Sequence, residues 1–336
     1  MFLKKKKTAE DIVRRPLWRR IAGYSLVLVL LLNLGFGWYW SRSPDIFWVN
    51  ETSAAGNKAI GYATTDTLIR VTETLLEKNG GYLTNDVIPP SVFLDNIPSF
   101  ELGAIQQVRD LARVIRNDYS RSQSQSREDA DLAKAEQKFF FENNSWILPR
   151  TEAEYREGIA GFKLYRDRLS GADVKDAQFF ARADNLREWL AQVEKRLGSL
   201  SRRLGDSVAT HVFNTDLAGD AAAEANTTLP DNVNVQTSWF EIDDVFYEAR
   251  GTAWALVHFF RAAELDFAHV LADKNAEVSV RQIIRELEAS LQPLQSPMVM
   301  NGGGFGLFAN HSLVMANYLA RANAATINLR ELLDQG

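Results

Sequence analysis

Two carboxylates in residues 241–260 could act as an acid and a base. Asp244 and Glu248 lie four residues apart, so on a helix both side chains project from one face. Hydrolysis by such a pair requires one carboxyl group to be buried enough to have a raised pKa. The alternative is that Glu241, Asp243 and Asp244 occupy a helix N-terminus, where the helix dipole favours anions. We expect this alternative, and keep Asp244 and Glu248 as weak acid–base candidates.

Metal, thiol and nucleophilic chemistry lack the residues that they need. The chain has no cysteine, and no two of its four histidines are spaced four apart, as two ligands on one helix face would be. Asp266 and His269 match half of a bundle di-metal motif, but a second such pair is missing. No G-x-S-x-G nucleophile motif is present. We therefore predict no catalytic residue, no metal ligand and no cofactor.

A glycine-rich segment at residues 301–310 could bind a phosphate, touch a partner or form a turn. A Walker loop requires a lysine after its last glycine, and none follows Gly306. The spacing of the glycines also differs from the dinucleotide fingerprint. We expect a buried turn that admits the last helix to the core, and keep a loop that contacts a partner or a membrane as the alternative. The candidate interaction residues are Gly302, Gly303, Gly304, Phe305, Gly306, Phe308 and His311.

An uncharged segment, residues 21–40, has the length of a membrane-spanning helix. At a rise of about 1.5 Å per residue it covers roughly 30 Å, the thickness of the hydrocarbon core of a bilayer. Three aromatic residues at 38–40 form the belt expected at the membrane surface. The alternative is a cleaved signal peptide, or a twin-arginine export signal containing Arg14 and Arg15. The long, strongly apolar segment favours a retained anchor.

The charge distribution predicts how this helix is oriented. Residues 1–20 contain eight Lys or Arg residues and two acidic ones, whereas only Arg42 follows closely after the span. Cations mark the cytoplasmic side, so we predict a bacterial inner-membrane protein with a cytoplasmic N-terminus and a periplasmic body. Beyond residue 20 the chain has 30 basic and 41 acidic residues, which excludes an electrostatic surface for nucleic acid.

After the anchor, apolar residues at helical spacing predict an all-α periplasmic bundle of about seven helices. No alternating segment is long enough to indicate a sheet. Gly80 and Gly81 are typical of a helix end, and Thr151 with Glu154 predicts a capping box. The predicted helices cover about 60–79, 101–119, 128–142, a segment from 151, and then 175–204, 240–272, 277–291 and 311–333.

The helix predicted at 175–204 has the most regular pattern. Its apolar residues alternate at spacings of four and three, as in a coiled coil. The repeating residues are Phe179, Ala183, Leu186, Leu190, Val193, Leu197, Leu200 and Leu204. This seam predicts either a homo-oligomer through residues 179–204 or an antiparallel partner helix within the same chain. We expect the partner within the chain, because several other helices are available.

Composition divides the chain into segments. Residues 216–238 lose helical periodicity and are rich in Ala, Asn, Thr and Asp, which indicates a loop or a boundary. The predicted segments are a cytoplasmic basic stub (1–20), the transmembrane helix (21–40), a juxtamembrane segment (41–59), a helical subdomain (60–215), the loop or boundary (216–238) and a C-terminal helical subdomain (239–336).

Three stretches together resemble a family of single-pass bacterial inner-membrane proteins of unknown function. They are EIDDVFYEARGTAWALVHFF, DNIPSFELG and NGGGFGLFANHSLVMANYLARANAA. The resemblance covers nearly the whole chain, and it implies a location in the envelope of a Gram-negative bacterium. It supplies no catalytic residue and no substrate.

Three features favour a scaffold or accessory subunit of an envelope complex, which binds other envelope proteins through helix faces. They are the predicted membrane anchor, the heptad seam and the lack of a recognisable set of catalytic residues. The alternative is a periplasmic hydrolase or cell-wall-binding module that uses Asp244 and Glu248. A helical ligand-binding sensor is a third hypothesis, and it requires a sizeable cavity inside the bundle.

Overall fold

The computed structural model describes residues 17–49, 59–121, 128–171, 177–208, 210–213, 232–296, 298–304 and 306–335. The all-α prediction is confirmed across these residues. Residues 1–16 of the basic stub, most of the 216–238 segment and Phe305 lie outside them. The helices are α1 (Leu17–Trp40), α2 (Tyr62–Glu77), α3 (Asn96–Val114), α4 (Ala130–Phe139), α5 (Thr151–Leu169), α6 (Ala183–Gly205), α7 (Ile242–Asp266), α8 (Ala268–Asp273), α9 (Glu277–Ser290) and α10 (His311–Asp334).

The predicted helices all exist, with three differences in their bounds. The helix predicted at 175–204 begins at Ala183 as α6. The predicted helix at 240–272 is two helices, α7 and α8, separated at Phe267. α3 begins at Asn96, earlier than predicted, because the side chain of Asp95 accepts a hydrogen bond from its first N–H. Pro98 is tolerated in the first turn, where a backbone donor is not needed. Nine α-helices therefore follow α1 in the described residues, one more than the eight segments predicted, because the segment 240–272 forms two of them.

The predicted capping box at the start of α5 is wrong. The hydroxyl of Thr151 accepts a hydrogen bond from the N–H of Ser145 at 3.1 Å, and makes no cap to its own helix. Glu154 instead forms an ion pair with Lys138 at 2.8 Å. Both side chains therefore fasten α5 to the preceding loop and to α4, which a pattern within one helix does not indicate.

α1 is mainly apolar and exposed over most of its length, apart from the buried Gly37. It is the one helix in the described residues that is long and apolar enough to cross a membrane, over residues 18–40. Asn33, the one strongly polar residue of the uncharged part of α1 (residues 21–40), donates its side-chain N–H to the carbonyl oxygen of Val29 at 2.9 Å. This bond gives the amide N–H a partner within the helix, which the hydrocarbon core of a bilayer would not provide.

The centre of the body is the contact between α3 and α7, whose backbones touch at two glycines. A methyl group on Gly103 would overlap the carbonyl oxygen of Glu248, and one on Gly251 would overlap that of Phe100. Thr252 donates its hydroxyl to the carbonyl of Gly103 across the same contact at 3.3 Å. α7 is buried on nearly all sides, because α2, α3 and α9 surround it.

The heptad seam of α6 is buried within the chain. Its residues from Leu186 to Leu204 are almost inaccessible, and α6 packs along α10. Phe179 precedes the helix in an extended segment and packs against Tyr119 and Phe267. An oligomer through residues 179–204 would have to use the other faces of α6, and stays a prediction.

The helices on both sides of residues 216–238 share one core, since α3 packs along α7 and α6 along α10. Two short strands pair antiparallel here: β1 (Thr210–Phe213) precedes the segment and β2 (Asn232–Val235) lies in its last part. Four residues are too few for an alternating pattern to stand out, so the sequence did not indicate them. The division into two subdomains stays a prediction about folding units.

The segment after α1 is fastened to α7 and α2; we call residues 41–49 the strap. The N–H of Phe47 donates to Nε2 of His258 at 3.1 Å, and Trp254 donates its indole N–H to the carbonyl of Asp45 at 3.1 Å. Phe47 also stacks on the imidazole, with ring centres 3.9 Å apart.

Two arginines hold the end of the strap. Arg70 of α2 donates to the carbonyl of Trp48 at 2.6 Å, and Arg261 of α7 donates to that of Phe47 at 3.3 Å. The strap therefore joins α1 to the centre of the body through bonds to both α2 and α7.

Candidate functional site

The glycine-rich segment forms a hairpin at the start of α10; we call residues 300–311 the glycine hairpin. His311 donates its N–H to the carbonyl of Met300 at 2.8 Å, and Gly302 donates to that of Ala309 at 3.0 Å. Asn310 has two functions, because its Oδ1 caps α10 at Leu313 and its Nδ2 donates to the carbonyl of Gly302 at 2.7 Å. The base of the hairpin is thus fixed to the helix end.

Two of the glycines are required by the backbone. A methyl group on Gly302 would overlap the carbonyl oxygen of Phe308 across the hairpin. Gly304 has a φ of +79°, in the left-handed region that side chains disfavour. Gly303 and Gly306 have open space around them, since a methyl group on either would have no other atom within 4 Å. The glycines therefore shape the turn rather than fill a packed interface.

The tip of the hairpin is exposed, so the expected buried turn is wrong. Leu307 is 100% exposed and Phe308 is 67% exposed. The candidate residue Phe305 lies outside the described residues. Two large apolar side chains held in water at the end of a fixed hairpin are typical of a surface that meets another molecule.

A cavity of about 240 Å³ lies beside the base of the hairpin, between α7, α9 and α10. Its wall is mainly apolar, and it is smaller than a usual small-molecule site of about 300 Å³ or more. It therefore does not provide the sizeable internal cavity that a ligand-binding sensor requires. Residues of its lining include Phe246, Arg250, Leu294, His311, Val314 and Met315.

The polar groups of this cavity include an arginine and an imidazole. Arg250 donates to the carbonyls of Leu291 at 3.1 Å and Gln292 at 3.0 Å, beyond the end of α9. Burial lowers the pKa of its guanidinium from the ordinary value. Nδ1 of His311 accepts from the N–H of Met300 at 2.9 Å, which leaves Nε2 as the donor. The cavity therefore suits an apolar side chain next to a carboxylate.

The acid–base candidates Asp244 and Glu248 both make structural contacts. Glu248 is buried and pairs with Arg203 of α6 at 2.9 Å. Asp244 accepts a hydrogen bond from the hydroxyl of Ser99 at 2.9 Å. Burial raises the pKa of the Asp244 carboxyl, while the bond from Ser99 lowers it. Neither residue lines the cavity at the hairpin, and the hydrolase hypothesis stays a prediction supported only by this pKa.

Asp266 has a structural function as the cap of α2. Its carboxylate accepts from the N–H groups of Gly61 at 2.9 Å and Thr64 at 2.7 Å, although it belongs to the last turn of α7. It is buried, and its partner in the sequence pattern, His269, is exposed. Asp266 is therefore a helix cap and His269 a surface residue, and the two do not form a common site.

The residues that hold the strap were missed in the sequence. His258 lies on an apolar helix, and its bond to Phe47 joins positions more than 200 residues apart. Trp239, which its apolar neighbours would place in the core, is exposed, whereas Phe246, Trp254, Phe259 and Phe260 are buried. A lone histidine within the otherwise apolar helix 253–260 is the one signal that could have indicated a buried hydrogen bond.

Comparison with known proteins gives one match. A model of the family DUF2333, described as uncharacterized proteins conserved in bacteria, matches residues 12–336. Neither the curated proteins nor the solved structures include a match to the chain. The matched residues contain α1, the strap and the glycine hairpin.

Proposed function

The chain belongs to the DUF2333 family of bacterial proteins, and we propose that it is a membrane-anchored scaffold or accessory subunit of a cell-envelope complex. It binds a partner protein through the glycine hairpin. The observation that carries this proposal is the exposed pair Leu307 and Phe308 on a hairpin whose base is fixed by hydrogen bonds.

The anchor of this scaffold is α1. Its uncharged length matches the bilayer core, and the eight cations before it favour a cytoplasmic N-terminus in the inner membrane. The body then lies in the periplasm, where its excess of acidic residues is compatible with a soluble surface.

The strap supports a scaffold because it fixes the body to the anchor. A flexible linker would let the body tumble over the membrane, whereas bonds from the strap to His258, Trp254 and two arginines restrict that motion. A partner bound at the hairpin is then held at a fixed place relative to the membrane. Such positioning is what an accessory subunit contributes.

The hairpin and its cavity favour a partner segment with apolar side chains and a carboxylate. Leu307 and Phe308 provide apolar surface at the tip. Arg250 and His311 provide donors at the base, where burial strengthens a hydrogen bond to an anion. Aromatic and arginine side chains at the centre of an interface usually carry most of its binding energy.

Replacing both tip residues by serine (L307S/F308S) tests the proposal. We expect a stoichiometric partner to co-purify with the wild-type protein from detergent-solubilised membranes and to be lost with the double variant. Loss of two buried apolar anchors costs about 2–4 kcal/mol, a reduction in affinity of roughly 30-fold or more. Affinity capture followed by quantification of the partner measures this.

The matched control is V278S, which removes an equally exposed apolar side chain at the start of α9, away from the hairpin. This variant should retain the partner. Equal recovery from the wild-type protein and from L307S/F308S would contradict the proposed binding site. Absence of any partner and of self-association would contradict the scaffold itself.

A further inference from the structure

A group of exposed apolar side chains lies at the end of the body next to α1. The loop between α2 and α3 exposes Val87, Ile88, Val92 and Phe93, and Phe93 is 75% exposed. The loop between α4 and α5 exposes Trp146, Ile147 and Leu148, and Leu148 is 91% exposed. Soluble surfaces rarely concentrate so many large apolar side chains in two loops. We call these seven residues the membrane platform.

The first loop is in contact with the last turn of α1. Gly37 is buried, and a methyl group on it would meet Leu94 and Pro90, each at 3.8 Å. Gly37 lies one helical turn before Trp40, so it is about 4.5 Å from the end of α1 along the helix axis. Whatever contacts Gly37 is therefore level with the aromatic belt of the anchor, where a bilayer has its interface.

The second loop is fastened to the first. The side-chain N–H₂ of Asn85 donates to the carbonyl of Ser145 at 2.9 Å and to Glu152 at 2.7 Å. Asn85 itself is buried between the two loops. Trp146 directly follows the residue that accepts this bond, so the two apolar segments are held as neighbours.

The platform is fixed from inside the body by a buried carboxylate. Glu101 of α3 accepts from the N–H groups of Leu83 at 2.9 Å and Thr84 at 2.8 Å, and pairs with Lys78 at 2.7 Å. Ser91 donates its hydroxyl to the carbonyl of Ile88 at 2.9 Å. Because its backbone is held in place, the loop keeps its apolar side chains directed outward.

We propose that the membrane platform inserts into the outer leaflet of the bilayer that α1 crosses, so that the body sits on the membrane by two attachments. Continuity with the last turn of α1 identifies the lipid surface as the occupant. This inference rests on the proposed anchor, and adds a second contact that fixes the tilt of the body. The glycine hairpin is then held at a set height and direction for its partner.

Fluorescence quenching in a reconstituted membrane tests this. Since the chain has no cysteine, single cysteines can be labelled without background. The full-length variants F93C and L148C carry an environment-sensitive fluorophore, in vesicles of phosphatidylethanolamine and phosphatidylglycerol. L30C in the exposed apolar part of α1 is the anchor control, and V278C is the aqueous control. Quenching by lipids with doxyl groups near the headgroup should be several-fold stronger at F93C and L148C than at V278C.

The controls separate the platform from the anchor. In one outcome, the label at L30C is quenched while that at F93C or L148C is quenched no more than the one at V278C. This result overturns the platform but is consistent with the anchor. L30C is read with lipids that carry the doxyl group deep in the acyl chain, because residue 30 lies near the middle of the span. No quenching there overturns the anchor and, with it, the platform. The labels at F93C and L148C could also be shielded from aqueous iodide without being quenched by lipid. This result would indicate a protein partner or a second copy at the platform, and it also overturns the inference.

Discussion

Alanine in place of Gly251 (G251A) should lower the free energy of unfolding by about 3 kcal/mol or more, the largest effect that we expect from one methyl group. The added carbon would overlap the carbonyl oxygen of Phe100, so α3 and α7 must move apart. Separation also weakens the bond from Thr252 to Gly103 in the same contact. A backbone atom cannot rotate away as a flexible side chain can, and the cost falls on the whole core. Chemical denaturation of the detergent-solubilised protein, followed by circular dichroism, measures the change.

The matched control for this substitution is G205A at the end of α6. No atom lies within 4 Å of the methyl position there, so the control should change the stability by no more than about 0.5 kcal/mol. G103A should behave like G251A, because its methyl group meets the opposite helix of the same contact, at the backbone of Glu248. Wild-type stability of both G103A and G251A would contradict the close approach of the two helices.

Acidification should release the strap through His258. Burial lowers the pKa of the imidazole to about 4, against an ordinary value of 6.5. Between these values the unfolded chain binds a proton that the folded chain does not, so stability falls as the pH drops from about 6.5 to about 4. The loss is up to about 3 kcal/mol. Protonation gives Nε2 a hydrogen, so it can no longer accept from Phe47.

Comparison with H258Q isolates this titration from that of the carboxylates. Glutamine has an acceptor for the N–H of Phe47 but does not titrate. The difference in unfolding free energy between the wild-type protein and H258Q should therefore shift by about 3 kcal/mol between roughly pH 7 and pH 4, to the disadvantage of the wild type. A difference that stays constant over this range would show that His258 is not held neutral by the fold.

Local patterns in the sequence predicted most of the fold. The uncharged residues 21–40 and the spacing from Leu186 to Leu204 report periodicity and length, which depend on neighbours in the chain. These two properties predicted which segments are helical, and they also predicted that the heptad seam is buried within the chain. The same information does not give the capping of α2 by Asp266, because that bond joins the start of one helix to the end of another 200 residues later.

The sequence singled out the glycine-rich segment as a candidate interaction loop, but it did not predict that the tip is exposed. Four glycines permit a buried turn and an exposed hairpin equally well, since they have no side chain to signal either. The hydrogen bonds of Asn310 to Gly302 and to the start of α10 favour the exposed hairpin, because they direct its tip into solvent. The membrane platform was likewise hidden, because apolar residues in a connector such as 82–101 are expected to pack on the body.

A direct test of the scaffold is a photoreactive amino acid placed at Leu307 in the full-length protein, expressed in growing bacteria. Irradiation should give one discrete cross-linked product, because a specific partner meets the exposed tip at a single place. The same amino acid at Val278 should give none, although that position is also exposed. Identical patterns from the two positions, or no product from Leu307, would contradict the claim that the glycine hairpin is the binding surface.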